Sequence, residues 1–263
     1  MEKNNSQKGG AVCFVGAGPG DIELITVKGM RLLQQADVIV YAGSLINPAL
    51  LQLNPAAEQV DSAPLCLDDL IKLMVERCRR GKRVVRLHSG DPSLYGAINE
   101  QIDALRDEGI AARVVPGVSS LGAAAAALQR ELTAPGVSQT VIITRAAGRT
   151  PVPAGEDLAA LAGHGATMAI FLSAGLAGKV QNQLLKQYGG ETPVAVVQRA
   201  SWPDQRVIRT RLSELAAVME REDVNRTALI MVGGALVPGG QKSLLYSRGF
   251  SHGYRAAEPE EGK

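Results

Sequence analysis

The sequence lacks several features that would point to particular classes of protein. It has three cysteines, Cys13, Cys66 and Cys78, and no C-x-x-C pair, so a disulfide framework is not expected. Its three histidines are scattered, and we therefore predict no metal site. Aromatic residues make up only 3% of the chain, so the core must be aliphatic and rich in alanine.

An excess of charge of one sign is also missing. The chain has 28 basic and 26 acidic residues, and this balance argues against a nucleic-acid partner or a membrane surface. No apolar run approaches the roughly 18 residues that span a bilayer. Residues 1–10 lack the apolar centre of a signal peptide, so we read them as a flexible leader. These absences predict a cytoplasmic protein with no membrane or nucleic-acid partner.

What the sequence does contain is a regular alternation of short apolar runs with amphipathic stretches. In the first half, strands are predicted at 11–15, 38–41, 83–87 and 112–115, with helices between them. Such alternation is typical of crossover units, and predicts a mostly parallel sheet with helices on both faces. In the second half, strands are predicted at 140–144, 168–172, 194–198, 206–210 and 228–232. The strands at 194–198 and 206–210 are separated by a turn, which favours antiparallel pairing and a mixed sheet.

The predicted fold class is therefore α/β, with two α/β domains. Periodicity is lost over 130–139, a stretch that contains Pro135-Gly136, so we place the domain junction there. The predicted parts are a leader at 1–10, an N-terminal domain at 11–130, a C-terminal domain at 131–240 and a tail at 241–263.

Two glycine-rich loops follow predicted strands of the first domain. The first, 16–21, departs from the dinucleotide fingerprint because Asp21 stands where the third glycine belongs. It fits either a tight turn or a close backbone approach to a neutral or cationic ligand. The second, His88-Ser89-Gly90-Asp91, cannot form a hydrolase triad, because neighbouring residues do not reach the required geometry. Ligands of open α/β sheets bind at this edge of the sheet.

Two features of the second half leave alternatives open. Arg145 and Arg149 flank a short loop after a predicted strand, and they fit either carboxylate recognition or solvated loop positions. Trp202 is the only tryptophan, and a single aromatic residue is more typical of packing than of ligand stacking.

Taken in order, these segments resemble the tetrapyrrole methylase family over roughly residues 11–255. The matching segments are Val15-Gly16-Ala17-Gly18-Pro19-Gly20-Asp21, 36–45, 86–96, 115–120, 138–140, 144–151, 200–204 and 226–229. Segments 41–45 and 138–151 are similar to the branch that methylates C-11 of precorrin-4. The resemblance implies S-adenosylmethionine as methyl donor, a tetrapyrrole of the cobalamin pathway as acceptor, an active-site cleft between the two domains, and a homodimer.

Carried onto this sequence, the resemblance implies three groups of site residues. The residues for the methyl donor are Pro19, Gly90, Asp91, Tyr95, Ser119, Ser120, Phe171, Leu172, Ala200, Thr227 and Ala228. The residues for the tetrapyrrole are Tyr41, Ser44, Asp61, Ser138, Arg145 and Arg149. His88 is nominated as the catalytic base, should the reaction use one.

Other functions stay open at this point. Relatives in the same family methylate a different macrocycle carbon or ribosomal RNA ribose, and near-neutral charge disfavours the RNA enzyme. A nicotinamide-dependent oxidoreductase would need the dinucleotide fingerprint that the first loop lacks. A non-catalytic scaffold would bind no S-adenosylhomocysteine.

Overall fold

The computed structural model describes residues 10–257, which form two compact units. The first unit contains residues 10–123 and 199–205, and the second contains 124–198 and 206–257. The sequence places the junction at residue 130 and assigns 199–205 to the second domain, whereas the structure groups this short segment with the first unit. Residues 1–9 of the predicted leader and 258–263 of the predicted tail lie outside the described residues.

The first unit is built on a five-stranded sheet in the order β3-β2-β4-β1-β5, in which every pair is parallel. The strands are β1 (Ala11–Gly16), β2 (Val38–Tyr41), β3 (Glu58–Asp61), β4 (Val84–His88) and β5 (Ala111–Val115). The central strand β4 is buried along its whole length, as expected for a parallel sheet covered on both faces. The edge strand β3 is polar and mostly exposed, so the apolar pattern did not predict it.

Helices cover both faces of this sheet, as predicted. They are α1 (Val27–Gln35), α2 (Leu67–Arg79) and α3 (Ile98–Asp107). A fourth helix, α4 (Ser120–Leu128), begins in the first unit, and its residues from 124 onward belong to the second. Met74 of α2 and Leu105 of α3 pack with Phe14 on one face, and Leu33 of α1 packs with Leu87 on the other. The core therefore lies on the two faces, which leaves the carboxyl edge of the strands to the connecting loops.

The second unit contains a mixed five-stranded sheet in the order β6-β7-β10-β8-β9. Its strands are β6 (Val141–Arg145), β7 (Thr167–Phe171), β8 (Pro193–Gln198), β9 (Arg206–Arg211) and β10 (Ala228–Val232), and its helices are α5 (Leu158–Ala162), α6 (Ala177–Leu184) and α7 (Leu215–Arg221). Only β6 and β7 are parallel, and the other pairs are antiparallel. The prediction of two α/β domains, one mostly parallel and one mixed, is confirmed.

Two further features of residues 10–257 concern the length of the helices and the grouping of potential metal ligands. No helix in this range is long and apolar enough to cross a membrane. Within the same range, no three His, Cys, Asp or Glu side chains lie together in a way that could hold a metal ion.

Candidate functional site

Three loops meet at the carboxyl edge of the first sheet, after the adjacent strands β4, β1 and β5. The backbone N–H of Ala17 donates to the His88 carbonyl at 2.7 Å, and Gly90 N donates to Gly18 O at 2.8 Å. A Cβ on Gly117 would lie 2.1 Å from Gly90 O and 2.7 Å from Gly16 Cα. Only glycine permits such a close approach of the three loops at these positions.

The Asp91 carboxylate ties two of these loops together. Its Oδ2 accepts a hydrogen bond from Gly117 N at 2.8 Å, and its Oδ1 accepts from Ser93 N at 2.8 Å and from the Ser93 hydroxyl. Desolvation raises the pKa of Asp91, but the hydrogen bonds from Ser93 and Gly117 outweigh it and leave the pKa below its usual value. Asp91 is therefore ionised at neutral pH, and its charge is engaged by the protein's own backbone.

Gly90 faces the start of α4. The position of its missing Cβ lies 3.9 Å from both Ser119 Cα and Ser120 N, and its φ is +64°. The Ser119 hydroxyl oxygen accepts from Leu121 N at 3.2 Å, which caps the first turn of α4. The structure thus brings Gly90, Asp91, Ser119 and Ser120 close together.

Several implied site residues adopt a backbone conformation that side chains other than glycine rarely take. Tyr95, Leu172 and Thr227 have φ of 58°, 52° and 53°. Residues held in this region cost free energy and cluster at ligand sites. Because β7 and β10 pair with Ile170 opposite Ile230, Leu172 and Thr227 lie at the same edge of the second sheet, along with Phe171 and Ala228.

Trp202 anchors the first glycine-rich loop, a role that its sequence context does not predict. Its indole Nε1 donates to Pro19 O at 2.9 Å, and a Cβ on Gly20 would lie 2.1 Å from the ring. The Arg199 guanidinium lies 4.2 Å above the ring centroid. Next to it, the Ser201 hydroxyl oxygen accepts from Asp21 N at 3.0 Å. Trp202 therefore fixes the first glycine-rich loop, and the segment 200–204 that carries it was among the family motifs.

Two of the implied tetrapyrrole residues lie at the ends of β2 and β3. Tyr41 ends β2, and Asp61 ends β3 opposite it. Asp61 Oδ1 accepts from Ala63 N and Gly43 N, both at 2.9 Å, and these bonds lower the pKa of Asp61. Ser44 lies in the short 3-10 turn Gly43–Leu45, and its side chain lies outside what the structure describes.

The other tetrapyrrole residues belong to the second unit and are not all at one place. Ser138 precedes β6, and its hydroxyl bridges Thr140 O and Thr167 N at 2.9 and 3.1 Å. Arg145 lies at the opposite end of β6, a strand that is about 13 Å long at the rise of a parallel strand. The structure therefore does not bring Ser138 together with Arg145.

The two loop arginines differ in how their guanidinium groups are used. Arg145 donates to the carbonyls of Ala146, Thr150 and Pro151 at 3.3, 3.2 and 2.6 Å, so it organises the loop that follows β6. Arg149 lies on that loop and is exposed. The interpretation as a solvated loop arginine therefore fits Arg149. It does not fit Arg145, whose guanidinium is bound by carbonyls of its own loop.

His88 is buried at the end of β4. Its ring stacks on Phe14 with centroids 5.7 Å apart, and its Nε2 has no hydrogen-bond partner. Desolvation, with a smaller effect of the nearby Arg86 charge, lowers the pKa of His88 to about 3. A general base works best with a pKa near the working pH. The nomination of His88 stays a prediction, and its burial argues against it.

Comparison with known proteins adds independent information. A family model described as Tetrapyrrole (Corrin/Porphyrin) Methylases matches residues 11–216. The cobalt-precorrin-4 C(11)-methyltransferase of Methanocaldococcus jannaschii is 53% identical over 247 residues, 93% of this chain and 95% of that protein. The precorrin-4 C(11)-methyltransferase of Pseudomonas aeruginosa is 50% identical over 248 residues, 94% of this chain and 99% of that protein.

Solved structures agree with the sequence relatives. The X-ray structure of a cobalt precorrin-4 methyltransferase, a cobalamin biosynthetic enzyme, matches with a TM-score of 0.85 at 47% identity, covering 87% of this chain and 96% of that one. Uroporphyrin-III C-methyl transferase from Thermus thermophilus, complexed with S-adenosylhomocysteine, matches with a TM-score of 0.74 at 31% identity, covering 86% and 93%. On this agreement of motifs, fold and relatives, the chain belongs to the tetrapyrrole (corrin/porphyrin) methylase family.

Proposed function

We propose that this protein transfers a methyl group from S-adenosylmethionine to C-11 of precorrin-4, or of its cobalt complex, in cobalamin biosynthesis. The observation that carries the proposal is the identity of about half of the residues, over more than nine-tenths of the chain, to two enzymes named for that reaction. We further propose that it acts in the cytoplasm as a homodimer. Three free cysteines suit a reducing compartment.

The first unit offers a surface that fits the methyl donor. We propose that Pro19, Gly90, Asp91, Tyr95, Ser119, Ser120 and Ala200 contribute to donor binding there. Glycines at the meeting point of the loops let backbone N–H and C=O groups reach a polar ligand. The carboxylate of Asp91 is satisfied by Gly117 and Ser93, so its part is to hold the loops and to add a negative potential that suits a cationic sulfonium.

From the second unit, we propose that Phe171, Leu172, Thr227 and Ala228 contribute to donor binding. Leu172 is 69% exposed although it is a leucine, and its φ of 52° is one that side chains other than glycine rarely take. An exposed apolar side chain beside exposed backbone suits the adenosine part of a nucleoside.

The main task of the protein in this reaction is to position the methyl donor and the acceptor carbon. When bound, S-adenosylmethionine supplies a methyl group that its sulfonium activates toward an electron-rich carbon. The chain's own residues then have to hold the acceptor carbon in line and exclude water, and such alignment can contribute effective molarities of about 10⁵ M or more. Loops fixed by Asp91 and Trp202 are suited to that requirement, because their backbone does not have to reorganise.

For the acceptor, we propose binding by Tyr41, Ser44, Asp61 and Arg149, with Arg149 as the main contact for a carboxylate. Ser138 is left out of this proposal because it lies before the other end of β6 and its hydroxyl is engaged by Thr140 and Thr167. An exposed guanidinium can form a bidentate pair with an acetate or propionate group. Arg145 acts on this contact by holding the loop that carries Arg149.

The proposal is tested by incubating the purified protein with ¹³C-methyl-labelled S-adenosylmethionine and either precorrin-4 or its cobalt complex. We expect one labelled methyl group per macrocycle, which NMR places at C-11, and comparing the two acceptors decides which form is natural. Uroporphyrinogen III and ribosomal RNA serve as competing acceptors. Label on either of these, or on a different macrocycle carbon, would contradict the proposal.

A further inference from the structure

A buried arginine of the first unit lies at the centre of a chain of hydrogen bonds. Arg86, in the middle of β4, is only 7% exposed. Its Nη1 donates to the Ser62 hydroxyl oxygen at 2.9 Å, and its Nε donates to Gln101 Oε1 at 3.3 Å. Both partners are buried and uncharged. Among the ion pairs found in residues 10–257, none includes Arg86.

At one end of this series of hydrogen bonds lies the segment Tyr41–Leu45. We call it the acceptor segment because it contains Tyr41 and Ser44, which are proposed to bind the tetrapyrrole that accepts the methyl group. Ser62 N and the Ser62 hydroxyl both donate to the Tyr41 carbonyl, at 2.7 and 2.9 Å. The neighbouring Asp61 accepts from Gly43 N at 2.9 Å. The position of the acceptor segment is therefore set by Asp61 and Ser62, and Arg86 in turn fixes Ser62.

At the other end of this series of hydrogen bonds lies the turn that precedes α3. Gln101 Nε2 donates to the Ala97 carbonyl at 3.0 Å. Ala97 has a φ of 48°, and Tyr95, two residues before it, has a φ of 58°. A Cβ on Gly96 would lie 2.2 Å from Pro92 O, so this turn is tight as well as strained. Gln101 thus holds the strained turn that carries Tyr95, a residue of the proposed donor site.

Stability alone does not account for a guanidinium at this place. Burial of a cation without a carboxylate in contact costs free energy, and apolar replacements of buried charged groups are often neutral or stabilising. Burial lowers the pKa of Arg86 to about 10, so the group is still charged at neutral pH. The Asp61 charge offsets part of this cost from a distance. What the guanidinium adds over an apolar side chain is two directed hydrogen bonds that point to different segments.

We infer that Arg86 is a positioning residue. It fixes the acceptor segment and the Tyr95 turn relative to each other, through Ser62 on one side and Gln101 on the other. This inference rests on the proposed function, because it assigns the two segments to the tetrapyrrole and to the methyl donor. It adds three residues, Arg86, Ser62 and Gln101, that touch neither ligand and act through those that do.

The test compares three variants of the full-length protein, Ser62→Ala, Gln101→Met and Arg86→Met. For each, we measure the KM for the tetrapyrrole at saturating donor and the Kd of S-adenosylhomocysteine by calorimetry. We expect Ser62→Ala to raise mainly the tetrapyrrole KM and Gln101→Met mainly the Kd, each about tenfold, since a hydrogen bond to a charged group is of that size. Arg86→Met should raise both. Arg86→Lys keeps the charge and one donor, and should recover part of the loss.

A residue that served stability alone would give a different pattern. The three variants would then lower the unfolding temperature but leave KM and Kd of the folded protein within about twofold of wild type, and this result would overturn the inference. If Arg86→Met does not fold, the separate effects of Ser62→Ala on the tetrapyrrole KM and of Gln101→Met on the Kd decide the question. Arg79→Met is the matched control, because Arg79 pairs with Glu108 on the surface of the same unit. A wild-type protein that transfers no methyl group would contradict the proposed function instead.

Discussion

Asp91 and Gly117 are joined by a 2.8 Å hydrogen bond from the glycine N–H to the aspartate carboxylate, and this bond links the loops that follow β4 and β5. The two residues are 26 positions apart in the sequence. The same carboxylate accepts from Ser93 within its own loop. The Asp91 carboxylate thus fixes the backbone of two loops at the proposed donor site.

Removal of the Asp91 carboxylate is expected to weaken donor binding. Asp91→Ala leaves the N–H groups of Gly117 and Ser93 without their acceptor, and Asp91→Asn keeps only one oxygen for them. We expect the Kd of S-adenosylhomocysteine to rise about tenfold or more in both variants, given the usual size of hydrogen bonds to charged groups. Calorimetry provides the measurement. Asp103→Asn, an exposed acid of α3 that pairs with Arg106, should leave the Kd unchanged.

The close approach of the loops predicts opposite effects of two Gly→Ala substitutions. In Gly117→Ala the new Cβ would meet backbone of Gly90 and Gly16 on two sides, and neither can move cheaply. We expect a loss of about 2 kcal/mol in the free energy of unfolding, in the range of overpacking, and no measurable binding of S-adenosylhomocysteine. In Gly122→Ala, nothing lies within 4 Å of the Cβ position, so the helix should be stabilised by roughly 0.5–1 kcal/mol. Equal effects of both changes in denaturant titrations would refute the role of the glycines.

Hydrophobic periodicity was enough to predict most of the fold. Strands such as β4 are apolar because they are buried on both faces, so a short apolar run in the sequence is enough to predict them. Two elements were missed. Strand β3 is a polar edge strand, and α5 has only five residues. The place of segment 199–205 depends on long-range packing of Trp202 onto Pro19, which no local pattern reports.

The place of the candidate site in the fold was predictable from the sequence, because the loops that form it follow predicted strands. Resemblance supplied Gly90, Asp91 and Ser119, and the structure brings them together. The sequence could not show that the Asp91 carboxylate bonds to backbone, or that Arg145 is engaged by its own loop, because both depend on side-chain direction. Ser138 shares a motif with Arg145 yet lies at the other end of β6, since a strand separates its two ends by its full length.

The buried state of His88 predicts a pH dependence of stability. Its pKa falls from about 6.5 when exposed to about 3 in the folded protein. Below pH 6.5 the unfolded chain takes up a proton that the folded protein does not, so stability is complete above that pH and declines as pH falls toward 3. Linkage gives a loss of about 2 kcal/mol between pH 7 and pH 5.

Comparison of variants isolates this contribution. His88→Leu removes the titrating ring from its buried place beside Phe14, so the decline between pH 7 and pH 5 should shrink by about 2 kcal/mol in urea titrations. His164→Asn, at an exposed position, should keep the wild-type decline. An unchanged decline in His88→Leu would show that other groups cause it.

Exposure separates the roles of Arg149 and Arg145. Arg149→Gln removes an exposed charge proposed to bind an acceptor carboxylate, and we expect the tetrapyrrole KM to rise about tenfold with kcat little changed. The effect should diminish at high salt because exposed pairs are screened. Arg145→Gln frees the carbonyls of the loop and should lower kcat as well. Steady-state kinetics at two salt concentrations distinguish these outcomes, and equal effects of both variants would contradict the assignment.

Trp202 should matter for donor binding even though it is assigned no contact with the donor. Trp202→Phe keeps most of the ring next to Gly20 but removes the indole N–H that donates to Pro19 O, which leaves a buried acceptor unsatisfied. We expect the free energy of unfolding to fall by about 1–2 kcal/mol and the Kd of S-adenosylhomocysteine to rise several-fold. Because Trp202 is the only tryptophan, its fluorescence in the wild type should change as S-adenosylhomocysteine is added.

Tyr254→Phe, which alters a fully exposed aromatic side chain, provides the control for calorimetry. A constant emission together with an unchanged Kd in Trp202→Phe would mean that the first glycine-rich loop does not need this anchor.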